Sequence, residues 1–180
     1  MNPNDQPAQF TAPGEVRLIR LLPGPIERVW DFLTDPAKRA RWLAGGILEP
    51  RAGGKIVFNM HHKNLVPDET PPDEYKHVHD PGVTFDGEVL RCEPPHLLVH
   101  TFGGPDSEVT FELTPKGDRV QLVLTHRAKG EDVPDLHNFA SGWHIHVGFL
   151  IALLEDGPRP PFWPWHRQLK AEYAKRLAQS

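Results

Sequence analysis

The sequence predicts an α+β domain: a curved antiparallel sheet wrapped on one long C-terminal helix, with two short helices after the first strand. Three observations lead there. Between residues 55 and 126 the apolar residues recur with period two, as in half-buried strands. The turns joining these runs are too short for parallel crossovers, so neighbouring strands run antiparallel. After Pro134, Leu136, Phe139, Ala140, Trp143, Val147, Leu150, Ile151 and Leu154 recur at spacings of three and four, the stripe of an amphipathic helix.

Residues 1–14, polar and carrying Pro3, Pro7, Pro13 and Gly14, read as a flexible leader. Glu15 to Leu22 is a first strand, closed by Pro23-Gly24-Pro25. Pro25 suits a helix start, and Ile26, Val29, Trp30 and Leu33 follow at helical spacing. Asp35-Pro36 interrupts this helix, and a second short one, Ala37 to Leu43, ends at Gly45-Gly46. Strand patterns then centre on Ile56–Phe58–Met60, Val83–Phe85–Gly87–Val89, Leu98–His100–Phe102, Val109–Phe111–Leu113 and Val120–Leu122–Leu124, with hairpin turns at Gly103-Gly104-Pro105 and Pro115-Lys116-Gly117-Asp118. Gly157-Pro158 stops the long helix. A proline-aromatic segment leads to a terminal helix, His166 to Ala178. The domain proper thus spans 15–156, with 157–180 as a tail.

Composition narrows the function. Twenty Lys+Arg against 24 Asp+Glu, mixed along 180 residues, leave no basic surface that would recruit nucleic acid or an anionic membrane. A single cysteine, Cys92, excludes an internal disulfide and a multi-thiolate metal site. The longest apolar run, Ile145 to Leu154, is too short to span a bilayer, and no signal peptide is visible, so a cytoplasmic setting is expected.

A curved sheet gripping a helix leaves a hollow unless large side chains fill it. With Gly87, Ser107 and His126 among the inward positions, a partly polar cavity is expected. The segment Arg20 to Trp30, continuing through Leu33-Thr34-Asp35-Pro36 to Trp42, resembles the opening of the SRPBCC (START-like) superfamily, and more narrowly the family of heat-shock protein 90 ATPase activator homologues. Gly53-Gly54, Gly87-Glu88-Val89, Pro94-Pro95, Val109 to Leu113, Leu122 to His126 and Gly142-Trp143 match its later motifs in order. The resemblance implies the helix-grip fold shared with START domains and birch pollen allergen, whose members bind hydrophobic small molecules under the long helix. Residues 61–81 are longer and more polar than the hairpin usual in the family.

The expected ligand contacts are Phe58, Met60, Phe85, His100, Phe102, Val109, Phe111, Leu124, His126, Phe139 and Trp143. His126 and His100 are the polar pair of the presumed cavity, either as ligand anchors or as satisfied core residues. No nucleophilic relay and no cofactor are expected. His77 and His79 could chelate a metal with a carboxylate if 77–79 is extended. The plainer reading is a solvated loop with incidental histidines, acting as a lid. His144 and His146, two positions apart on a helix, lie about 200° apart and cannot chelate together.

The expected function is binding of a hydrophobic or aromatic small molecule. The rivals are a polyketide cyclase/aromatase-like enzyme using pocket histidines, and a module docking on a chaperone or regulator. Segment 145–154 is apolar all round and needs a cover on every side. The tail aromatics Phe162, Trp163 and Trp165 are the expected cover, with a homodimer as the rival.

Overall fold

The computed structural model describes residues 1–129 and 136–180. Seven strands form one antiparallel sheet: β1 (Gln9–Ala12), β2 (Glu15–Pro23), β3 (Lys55–Met60), β4 (Val83–Glu93), β5 (Leu97–Thr101), β6 (Ser107–Lys116) and β7 (Arg119–Ala128). Their spatial order is β1-β2-β7-β6-β5-β4-β3, so the amino-terminal strands close on the last strand of the meander. Helices α1 (Ile26–Thr34) and α2 (Pro36–Arg39) follow β2, α3 (Lys76–His79) lies between β3 and β4, and α4 (Leu136–Leu154) and α5 (Phe162–Ala178) close the chain. This is the expected helix-grip architecture. The position of Pro134, expected to open the long helix, lies outside the described residues.

The strands form where the alternation places them. β2 buries Val16, Leu18, Arg20 and Leu22 and turns Arg17 outward. Pairing of β4 with β5 slips between Val89 and Arg91, a bulge that bends the long β4. The β6–β7 hairpin turns at Gly117, whose φ of 66° favours a residue without a Cβ. Trp42 is fully buried and donates its indole N–H to the Phe32 carbonyl at 2.8 Å, which pins the helical segment under the sheet.

Two expectations need correction. Residues 1–14 are not a free leader: β1 adds an edge strand to β2. Asn4 exchanges two hydrogen bonds with the Leu21 backbone, at 2.7 and 2.9 Å. Among the described residues buried Arg20 makes no ion pair with a carboxylate; its Nη1 donates to the carbonyls of Pro3, Gln6 and Ile19. Sequence periodicity missed this because the segment gains its order from partners far along the chain.

Segment 61–81 is not a solvated loop either. It folds into 3-10 turns at His62–Asn64 and Asp73–Tyr75 followed by α3, and it buries His62, Leu65, Val66 and His79. The helical turn at α3 rules out the extended geometry that would bring His77 and His79 to one side.

The tail supplies the cover for α4. Helix α5 begins at Phe162, earlier than expected; Pro164 falls in its first turn, where a missing N–H costs nothing. Phe162, Trp163, Leu169 and Tyr173 are buried. A Cβ at Gly148 of α4 would stand 3.1 Å from the Trp165 ring, a measure of how closely α5 approaches. Burying side chains of this size contributes about 1.5–3 kcal/mol each. The Tyr173 hydroxyl accepts the Ala8 N–H and donates to His144 Nδ1, both at 2.7 Å, joining the two chain ends through α5.

Candidate ligand pocket

Helix α4, the sheet, segment 61–81 and α5 line a pocket of about 370 Å³. The sheet side supplies Met60, Val83, Phe85 and Phe102, and α4 supplies Asn138, Phe139, Gly142, Trp143 and His146. Segment 61–81 adds His62, Tyr75 and Val78, and α5 adds Phe162, Trp163 and His166. Leu43 completes a wall without a single Asp, Glu, Lys or Arg side chain. A Cβ placed on Gly142 would meet nothing within 4 Å, so the helix backbone is open to the pocket there.

Of the expected contacts, Met60, Phe85, Phe102, Phe139 and Trp143 stand on this wall, and the other six do not. Phe58 forms the layer behind, stacked on Phe85 and edge-on to Phe102, each with ring centroids 5.0 Å apart. The guanidinium of Arg39 lies over the Phe58 ring, 5.0 Å from its centroid, held by the carbonyls of Ala44, Gly45, Gly46 and Val57. Val109, Phe111 and Leu124 are sealed in the core.

His100 and His126 are core residues rather than pocket anchors. His100 Nδ1 donates to the Thr101 carbonyl at 2.9 Å, and its ring sits between Phe58 and Phe111. His126 Nδ1 accepts the Trp143 indole N–H at 2.9 Å, so the proton of the neutral ring is on Nε2, which faces the Ser107 hydroxyl at 2.7 Å. Burial pushes these imidazoles down to about 4 and about 3 respectively, so both are neutral at pH 7. Their inward direction was legible; a second layer of side chains separates them from the hollow.

The polar groups of the pocket lie at its other end. His146 Nδ1 stands 2.7 Å from the Trp42 carbonyl and must carry the proton there, which leaves Nε2 as an acceptor. His62 Nε2, 3.3 Å away, is the donor to it. His62 Nδ1 is sealed and has no partner within hydrogen-bond geometry; the Val78 backbone still acts on this ring and partly offsets the downward push of burial. Burial, reinforced by the neighbouring His146, pushes His62 down to about 2, and burial pushes His146 to about 4. The Trp163 indole N–H donates to His79 Nδ1 at 3.2 Å, and the Tyr75 hydroxyl donates to Asn138 Oδ1 at 3.4 Å. Among the described residues no group of three or more His, Cys, Asp or Glu is placed to hold a metal ion.

Two signals for this end were present in the sequence. His62 continues the inward alternation of Ile56, Phe58 and Met60, and His146 lies on the helical stripe of Phe139 and Trp143. The contribution of α5 had no such signal, because it depends on how the tail folds back.

A helix-grip domain with a largely apolar pocket between sheet and helices is thus the class that the fold and the site define. The chain belongs to the family of Activator of Hsp90 ATPase homolog 1-like proteins, whose model matches residues 23–155. No curated protein sequence matches it. Among solved structures it is similar to a Bordetella parapertussis protein, with 40% identity and a TM-score of 0.78 over 96% of this chain and 90% of that one. It also resembles CalU16 from Micromonospora echinospora (23% identity, TM-score 0.65, covering 94% and 93%). A conserved Enterococcus faecalis protein of unknown function shares the fold (15%, 0.70, 99% and 93%). Among the described residues no helix is long and apolar enough to cross a membrane.

Proposed function

We propose that this protein binds a hydrophobic, aromatic small molecule in the pocket between the sheet, α4 and α5. The observation that carries this reading is the pocket wall: ten aromatic or imidazole side chains, apolar side chains between them, and no formal charge. Burial of apolar ligand surface supplies the affinity at about 25 cal/mol per Å² before the costs of association. Met60, Phe85, Phe102, Phe139 and Trp143 are the wall residues proposed to touch the ligand. Segment 61–81 and α5 together form the cover. The acid–base role considered for His100 and His126 has no support in a geometry that seals His100 behind Phe58 and His126 behind Phe102, Phe139 and Trp143. The outer face of α4, the surface considered for a docking partner or a second copy, is occupied by α5.

The test is a titration with the neutral fluorescent probe N-phenylnaphthylamine, on the native chain and on Gly142→Leu. The leucine fills the open space at the helix and removes a glycine from a helix interior, which costs nothing in propensity. Saturable binding of one probe per chain, weakened at least about tenfold in Gly142→Leu, is expected. Absence of saturable binding, or binding indifferent to the leucine in a folded variant, overturns the proposal.

A further inference from the structure

Helix α5 lies outside the residues matched by the family, yet it closes one end of the pocket. Its His166 is only 6% exposed and lines that end. The other hydrogen-bonding side chains of the wall are engaged: His62 with His146, His146 with Trp42, Trp143 with His126, Trp163 with His79, Tyr75 with Asn138. Among the described residues, neither ring nitrogen of His166 has a hydrogen-bond partner. Nor are these nitrogens sealed off; the sealed, unpartnered polar side-chain atoms are Arg20 Nη2, Arg39 Nη1 and His62 Nδ1. The His166 nitrogens therefore keep some accessible surface, and the ring that carries them lines the pocket. The ring itself is fixed by Tyr75 and Trp163, at centroid distances of 5.0 and 5.8 Å.

Burial, with a smaller push from Lys170, takes His166 down to about 4, so at pH 7 it offers one N–H and one lone pair. A hydroxyl group answers both, as acceptor to one nitrogen or donor to the other. A carboxylate is poorly served. The wall holds no cation, and the Lys170 ammonium is already bound to Glu74 at 3.0 Å and to the Tyr75 hydroxyl at 3.3 Å. Burying an ionised group without a partner is costly.

We infer that the ligand is an uncharged aromatic molecule bearing a hydroxyl group, and that His166 on α5 is the residue that selects it. The inference rests on the pocket reading above. Selection arises because an apolar analogue covers the imidazole and leaves it unpartnered, whereas the hydroxylated molecule restores the hydrogen bond that the ring forgoes on burial.

The experiment displaces N-phenylnaphthylamine from the full chain with naphthalene, naphthol and naphthoate at pH 7, and repeats this with His166→Phe and His166→Gln. In the native chain naphthol is expected to bind about tenfold tighter than naphthalene, with naphthoate the weakest. His166→Phe should level naphthol with naphthalene while still binding naphthalene, which shows that the pocket has survived. His166→Gln keeps a donor and an acceptor and should retain part of the preference. Equal affinity for naphthol and naphthalene in the native chain overturns the inference and leaves the pocket reading standing. A preference that persists in His166→Phe does the same. Failure of the probe and of all three compounds to bind overturns both.

Discussion

Trp143 gives its indole N–H to His126 at 2.9 Å, and this bond marks the boundary between the pocket and the core. Trp143 shows a face to the hollow; His126 stands behind it, fully buried, with the Phe139 ring centroid 4.0 Å from its own. The imidazole is thus a structural acceptor that fixes two wall residues.

Replacing that imidazole tests its role. His126→Ala leaves the Trp143 N–H and the Ser107 hydroxyl without their partner and opens a cavity beneath Phe139. A loss of about 2–4 kcal/mol in unfolding free energy is expected from these terms, measured by urea denaturation at pH 7.5. Unchanged stability would show that the ring does not hold this network.

Glu69 is the latch between segment 61–81 and α5. Its carboxylate accepts the backbone N–H groups of Phe162 and Trp163, both at 2.8 Å, and so caps the helix with a charge of favourable sign. In Glu69→Ala the docking of α5 should weaken by about 1–2 kcal/mol. Hydrogen exchange reads this directly: amides in the first turns of α5 should exchange faster while those of β6 and β7 stay protected. Uniform acceleration across the sheet would mean that α5 does not open on its own.

Acid should destabilise this fold early. His62, His100, His126, His146 and His166 are buried and held neutral, with values pushed down to between about 2 and about 4. In the unfolded chain the same residues titrate near 6.5. Below that pH the unfolded state takes up protons that the folded state refuses, so stability falls as pH falls. It is complete above about pH 7 and is lost progressively toward the folded-state values. Each histidine contributes up to about 1.4 kcal/mol per pH unit within that window. Denaturation at pH 7.5, 6 and 5 should therefore show a steep decline, with uptake of several protons on unfolding. A flat profile over that range would contradict the buried, neutral assignment.

The alternation of Ile56, Phe58 and Met60, or of Val109, Phe111 and Leu113, was enough to define strands and their inward faces. The stripe from Phe139 to Leu154 was enough to define the covering helix. Both are local: a strand's faces and a helix's stripe follow from the backbone repeat of a few residues. The same periodicity placed Met60, Phe85, Phe102, Phe139 and Trp143 on the side where the pocket lies. It could not say how deep each would sit, and so it ranked Phe58, His100 and His126 with them.

Depth is a property of the assembled layers. Phe58 is covered by Phe85 and Phe102, and His126 by Phe139 and Trp143, contacts between residues far apart in the chain. The order of the amino-terminal residues is equally non-local, since it depends on Leu21 and Tyr173. The sequence by itself therefore determined the sheet, the long helix and the direction in which side chains point. Only the tertiary structure decided which of them reach open space and that α5 would bring His166 there, because exposure within a pocket depends on what packs in front of a residue, and no backbone repeat carries that information.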